Sequence, residues 1–185
     1  MHEYWTVLDE AEREQWDHVP LRAVGPLAFG MSRQDAVARM SEQGFTADPA
    51  PCVRWNAARG QWRVDFRRGA ERWRQMAVTC YFVEGVGLTC VLVDGLRGPQ
   101  VTFEGMRLIG RVPSELDREI ETYLELHDLD LRYSSTADVS GNDCGFERGA
   151  QRAGDVVVSW AVFANPEGIA YTLYDVIPRE VWLHR

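Results

Sequence analysis

The heptapeptides "FRRGAER" (66–72) and "FERGAQR" (146–152) stand 80 residues apart and agree at five of seven positions. Phe66, Arg68, Gly69, Ala70 and Arg72 meet Phe146, Arg148, Gly149, Ala150 and Arg152. The same offset pairs Val78 with Val158, Phe82 with Val162 and Gly30 with Gly110. A shift of one residue then aligns "GLTCVLVD" (87–94) with "GIAYTLYD" (168–175), so that Asp94 meets Asp175. A fixed long period is the mark of a duplicated supersecondary unit. The competing reading is two hairpins that share turn chemistry.

Each half carries one helical pattern. In "MSRQDAVARMSEQG", Ala36, Val37 and Met40 fall on one helical face, Ser32 is placed to cap the start, and Gly44 supplies the stop. In "VPSELDREIETYLELH", Leu116, Ile120, Tyr123, Leu124 and His127 recur every three or four residues, with Ser114 expected as the cap. Strand patterns follow each helix, near 52–56, 61–68, 74–84 and 88–94 and again near 129–135, 143–148, 155–164 and 169–177. A further helix is expected near 6–17.

Alternation assigns faces to the long strands. Met76, Val78, Cys80 and Phe82 form one row, matched in the second half by Val156, Val158, Trp160 and Val162. These heavier apolar rows are expected to meet the helices. The opposite face then presents Thr79, Tyr81, Thr89 and Val91, with Ser159, Ala161, Phe163, Thr172 and Tyr174 from the second half. A mixed hydroxyl and aromatic face suits either solvent or recognition.

At 185 residues, 45% hydrophobic and with seven Trp, the chain can bury a sizeable core as one domain or two small fused ones. The opening "MHEYWTVLDEAEREQW" has neither a basic nor an apolar signal region, and no apolar run approaches the ~20 residues of a membrane span. A cytoplasmic protein without membrane contact is expected. Cys52, Cys80, Cys90 and Cys144 lack metal-ligand spacing and read as buried thiols, although Cys80 and Cys90 fall on neighbouring strands.

All 20 basic residues are arginine, and the net charge is −8, which disfavours nucleic acid as a partner. Seven arginines crowd residues 54–74, and seven acids crowd residues 115–130. The arginines offer an anion site at Arg63, Arg67 and Arg72, or charged hairpin edges that discourage strand pairing. Arg68 and Arg148, kept in both copies, read as structural.

No GxSxG, HExxH or P-loop occurs, and "GVGL" (85–88) reads as a hairpin turn. The histidines are scattered, and His127 closes an acidic helix where the dipole favours it. "DVSGNDCGFERG" (138–149) resembles a calcium loop at Asp138, Ser140 and Asn142. It has Asp143 where the loop glycine belongs and Gly149 where the closing glutamate belongs, so it reads as a turn. No metal or cofactor is expected.

The stretch "VGPLAFGMSRQDAVARM" joins a strand to a helix through Gly30-Met31-Ser32. Two such modules in tandem resemble the beta-lactamase inhibitory protein family and, more loosely, small outer-membrane assembly lipoproteins. In the inhibitor family, two units of helices and four antiparallel strands join in one curved sheet whose concave face grips another protein. The resemblance covers most of residues 20–177. The second unit reads "IGRVPSE" in place of the Gly-Met-Ser segment.

The expectation is therefore an α+β fold of two tandem units, each a helix on an antiparallel sheet, joined into one curved sheet of about eight strands. Residues 1–19 form an extension, 20–98 the first unit and 99–185 the second. The expected function is non-enzymatic recognition of another protein, as an inhibitor or immunity-type antagonist. Its contact residues would be Thr79, Tyr81, Thr89, Val91, Phe163, Thr172 and Tyr174 on the open face, with Trp55 and Trp62. The alternative is a pocket between the units for an anion or small molecule, bound or turned over.

Overall fold

The computed structural model describes residues 5–48, 53–56, 60–68, 76–133 and 139–165, and the fold is α+β. In chain order come β1 (Gln15–Val19), β2 (Ala23–Val24), β3 (Leu27–Ala28), α1 (Arg33–Glu42) and β4 (Phe45–Ala47). Next are β5 (Val53–Asn56), β6 (Gln61–Arg68), β7 (Val78–Val83) and β8 (Gly87–Val93). The remainder is β9 (Gln100–Phe103), β10 (Met106–Arg107), α2 (Pro113–Leu126), β11 (Arg132–Tyr133), β12 (Val139–Gly141), β13 (Phe146–Ala153) and β14 (Val156–Ala164). The pattern expected at 169–177 lies outside the described residues.

Two sheets form where one was expected. The larger has nine strands among the described residues, ordered β11-β12-β13-β14-β8-β7-β6-β4, with β5 sharing the β6 edge. The smaller runs β10-β9-β1-β2-β3, and its β1–β9 pair is parallel. The helix expected near 6–17 is replaced by a short 3-10 turn at Glu10–Glu12 followed by β1. In β1, Trp16 and His18 are buried while Gln15, Asp17 and Val19 are exposed, the alternation of a strand.

The first helix follows its sequence signals. The Ser32 hydroxyl accepts a hydrogen bond from the Asp35 amide at 3.1 Å, and Gly44 ends the helix at φ +82°. The second does not begin as expected. Its N-cap is Val112, with no side-chain hydrogen bond, and Pro113 occupies the first turn, where a missing N–H costs nothing. Ser114 lies inside that turn.

Both helices pack on one core. Ala36 and Met40 of α1 and Leu116, Ile120 and Leu124 of α2 join Val78, Cys80, Val91, Ala161 and Phe163 of the large sheet and Trp16, Val24 and Val101 of the small one. This cluster draws on all three stretches of the chain, 1–19, 20–98 and 99–185.

The faces of β14 are the reverse of those expected. Val78 and Ala161 both stand opposite Val93, and Thr79 and Val162 both stand opposite Leu92. Ala161, not Val158, is thus level with Val78, and a displacement by an odd number of residues exchanges the two faces. Trp160 and Val162 therefore leave the helix side and pack with Tyr81, Cys90 and Leu92.

The structure does not establish the duplication. The two helices begin 80 residues apart, at Arg33 and Pro113. However, Phe66 lies near the end of β6 opposite Val78, whereas Phe146 begins β13 opposite Phe163.

Candidate functional site

The described residues of the expected recognition face are buried. Thr79, Val91 and Phe163 are 0% exposed, Thr89 is 3% and Tyr81 is 5%. Val91 and Phe163 belong to the core under the helices, and Cys90, Leu92, Trp160 and Val162 are buried with Tyr81 on the other side. The reason lies in the central strands. Along β7, β8 and β14 burial is nearly continuous, as in strands buried on both faces, and it does not alternate. The hydroxyls act internally: Thr79 donates to Asp65 Oδ1 at 2.7 Å and Thr89 to the Tyr81 carbonyl at 3.3 Å. Thr172 and Tyr174 lie outside the described residues, and Trp55 is placed only as a residue of β5.

The arginine cluster is engaged by the chain's own carboxylates. Arg63 donates from Nε to Asp65 at 2.9 Å, Arg67 is paired with Asp48, and Arg68 is paired with Glu14 at 2.7 Å. An anion at Arg63 and Arg67 would have to displace these partners; Arg72 lies outside the described residues. Arg148 is 3% exposed and donates to Asp117, tying β13 to α2, whereas Arg68 ties β6 to the residue before β1. The two repeated arginines are structural, and they hold different elements.

The buried thiols are not poised for chemistry. Cys80 lies in the core under the helices and Cys90 in the cluster on the opposite face, so adjacency in the sheet does not bring them together. Burial pushes both thiols up, and it pushes Cys144 up to about 11, away from the reactive thiolate. No group of three or more His, Cys, Asp or Glu among the described residues is arranged to hold a metal ion. His127 caps α2, stacks on Tyr123 at 4.1 Å and donates from Nδ1 to the Tyr123 carbonyl at 2.8 Å.

Among the expected contact residues that the structure describes, Trp62 is the one whose half-buried side chain lines an open cleft. The cleft, of about 540 Å³, lies between the start of α1 and the β7–β8 hairpin and is bounded by Gly30, Ser32, Arg33, Gln34, Trp62 and Glu84 among others. Arg33 places its guanidinium carbon 5.2 Å from the centre of a Trp62 ring, a cation–π arrangement.

Local sequence explains the placement. The Gly30 amide donates to Leu88 at 2.8 Å, and the Leu88 amide donates to Met31 at 2.9 Å, so the Gly-Met-Ser segment docks on β8 and aims the helix start at the cleft. A Cβ on Gly87 would lie 2.3 Å from the Gly30 carbonyl oxygen, and Gly87 also has φ +91°, so glycine is required there. Composition pointed to Trp62 as an aromatic anchor; Arg33 and Glu84 carried no signal of their own.

No helix among the described residues is long and apolar enough to cross a membrane. The chain matches no protein-family model, and no curated protein or solved structure matches it.

Proposed function

We propose that this chain is a non-enzymatic recognition protein that binds another protein through the cleft centred on Trp62. The observation that carries the reading is the pairing of Trp62 with Arg33 on the wall of that cleft. Trp and Arg are the residue types most enriched at the energetic centres of protein interfaces. The cleft is open, whereas small-molecule sites enclose most of their ligand's surface, so a macromolecular partner fits it better. The shifted cysteines and His18 do not line it, so the perturbed groups are not gathered where a substrate would sit. The resemblance of the sequence to the inhibitor family points the same way. The same reading takes the two helix-and-strand units as a duplication, supported by helices that start 80 residues apart.

The test is affinity capture from the native host with the wild-type chain and Trp62→Ala in parallel, followed by titration of any captured protein. A loss of about 2 kcal/mol, roughly 30-fold in affinity, is expected for Trp62→Ala if it anchors the interface. Equal binding by both proteins rejects the cleft. A large thermal shift with a metabolite or anion, abolished by the same substitution, would favour the pocket alternative.

A further inference from the structure

His18 is 6% exposed and joins the two sheets, because its strand β1 belongs to the small sheet and its Nε2 lies 2.6 Å from the carbonyl of Cys144, just before β13 of the large one. Its Nδ1 lies 3.2 Å from the carbonyl of Ala23. The ring is walled by Phe163 at 4.7 Å and by Phe103 and Phe146 at 5.8 Å each. The backbones also come close here: a Cβ on Gly145 would lie 2.9 Å from the Leu21 amide nitrogen, and Gly145 has φ +66°.

Two carbonyls facing one imidazole create a conflict. Carbonyl oxygens only accept, and a neutral ring has a single N–H to donate. The shorter contact assigns that hydrogen to Nε2, leaving the Nδ1 lone pair turned towards the Ala23 oxygen. An imidazolium would satisfy both carbonyls but would place a charge among three phenyl rings without a counter-ion.

Among the described residues, the surroundings hold no compensating charge. On β1, Asp17 is exposed on the opposite face, and β2 contributes the Ala23 carbonyl. The turn before β13 brings the Cys144 thiol, which burial keeps protonated, with Asp143 exposed beside it. From β9 comes Phe103, followed by exposed Glu104, and α2 presents Tyr123 against Phe103. From β13 and β14 come Phe146 and Phe163, while Glu147 alternates to the other face from Phe146. Among the described residues, burial and the two carbonyls act on His18, and burial is the larger, holding it below the ordinary histidine value of 6.5.

We propose that His18 is an acid-released clasp between the two sheets, closed while its imidazole is neutral and loosened when opening lets it take up a proton from water. The sign follows from the direction of the shift. The opened or unfolded state binds a proton near the unperturbed pKa, and the closed state binds it only at lower pH. Stability is therefore complete above about 6.5 and falls as pH drops from there towards the folded value. This device is independent of the cleft at Trp62.

The test combines wild-type NMR with one variant. The His18 ring is titrated in the folded protein, and melting is compared between pH 7.5 and 5 for the wild type, His18→Gln and the exposed control His127→Gln. A His18 midpoint below that of the unfolded chain is expected. The wild type and His127→Gln should lose measurably more melting temperature than His18→Gln over this range, because only they carry the proton uptake at His18. Amide exchange in β1 and at Cys144–Phe146 should accelerate in acid beyond its intrinsic rate. A His18 midpoint at or above the unfolded value overturns the proposal, whether or not the variant folds. Equal acid losses in wild type and His18→Gln also overturn it.

Discussion

Gly149 has no side chain because the indole of Trp160, its cross-strand partner, lies over it. A Cβ there would stand 2.3 Å from the ring atom Cε2. The "RGA" of the second heptapeptide is thus partly a packing requirement. Gly149→Ala should destabilise the protein by about 1–3 kcal/mol, the usual cost of overpacking a filled site. Urea denaturation reads this as a lowered midpoint at constant slope, and an unchanged midpoint would show that the indole can move aside.

The two serines near the helix starts make a matched pair at the same scale. Ser32→Ala removes a hydroxyl that accepts from the Asp35 amide and should cost about 1 kcal/mol, with Ser32→Gly costing only a few tenths. Ser114 makes no cap in α2, so Ser114→Ala should stay within about 0.5 kcal/mol of wild type. Equal losses at both positions in chemical denaturation would contradict these assignments.

At the scale of elements, α2 is held to the large sheet by apolar contacts and by one buried ion pair. Arg148 of β13 has 3% of its side chain exposed, and Asp117 of α2 has 23%. Asp117→Ala withdraws the carboxylate from a buried guanidinium and should cost about 3 kcal/mol, because the charge remains where water cannot solvate it. Arg39→Ala breaks the Arg39–Glu42 pair, whose side chains are 60% and 64% exposed, and should leave the denaturation midpoint unchanged. A small effect of Asp117→Ala would mean that Arg148 relaxes towards solvent.

Elements also differ in how far their own residues announce them. The range of α1 was readable because cap, apolar face and stop glycine all lie within a short stretch. The body of α2 was equally clear from Leu116, Ile120 and Leu124, but its cap, Val112, stands two residues before the expected Ser114. "GVGL" was readable as a turn, and it joins β7 to β8 with Gly85 at φ +79°. β1 was not readable: its parallel partner β9 is far away in sequence, and such pairing leaves no local mark beyond Trp16 and His18 alternating with polar neighbours.

Across the whole molecule, one core unites what the repeat suggested as separate units. Trp16, Phe66, Val101 and Phe163 share a cluster, and β14 of the second half pairs with β8 of the first. Fragments 1–98 and 99–185 should therefore each fail to fold alone, since each would expose half of a shared core. Circular dichroism and amide dispersion should show a disordered or molten chain for either fragment, and signals should return on mixing. Cooperative thermal unfolding of one isolated fragment would show that it carries a sufficient core of its own.

The class of the fold, the two helices and the long hairpin strands were legible in the sequence, because periodicity, caps and turns are properties of neighbouring residues. Tertiary structure alone decided which side of each strand meets the helices. Val78 levels with Ala161 through their common partner Val93, and that register depends on strands distant in the chain. The same register packs Trp160 with Tyr81 on the side away from the helices. A strand's sequence records that it has two faces; which of them meets the helices is set by the register with the neighbour it pairs with.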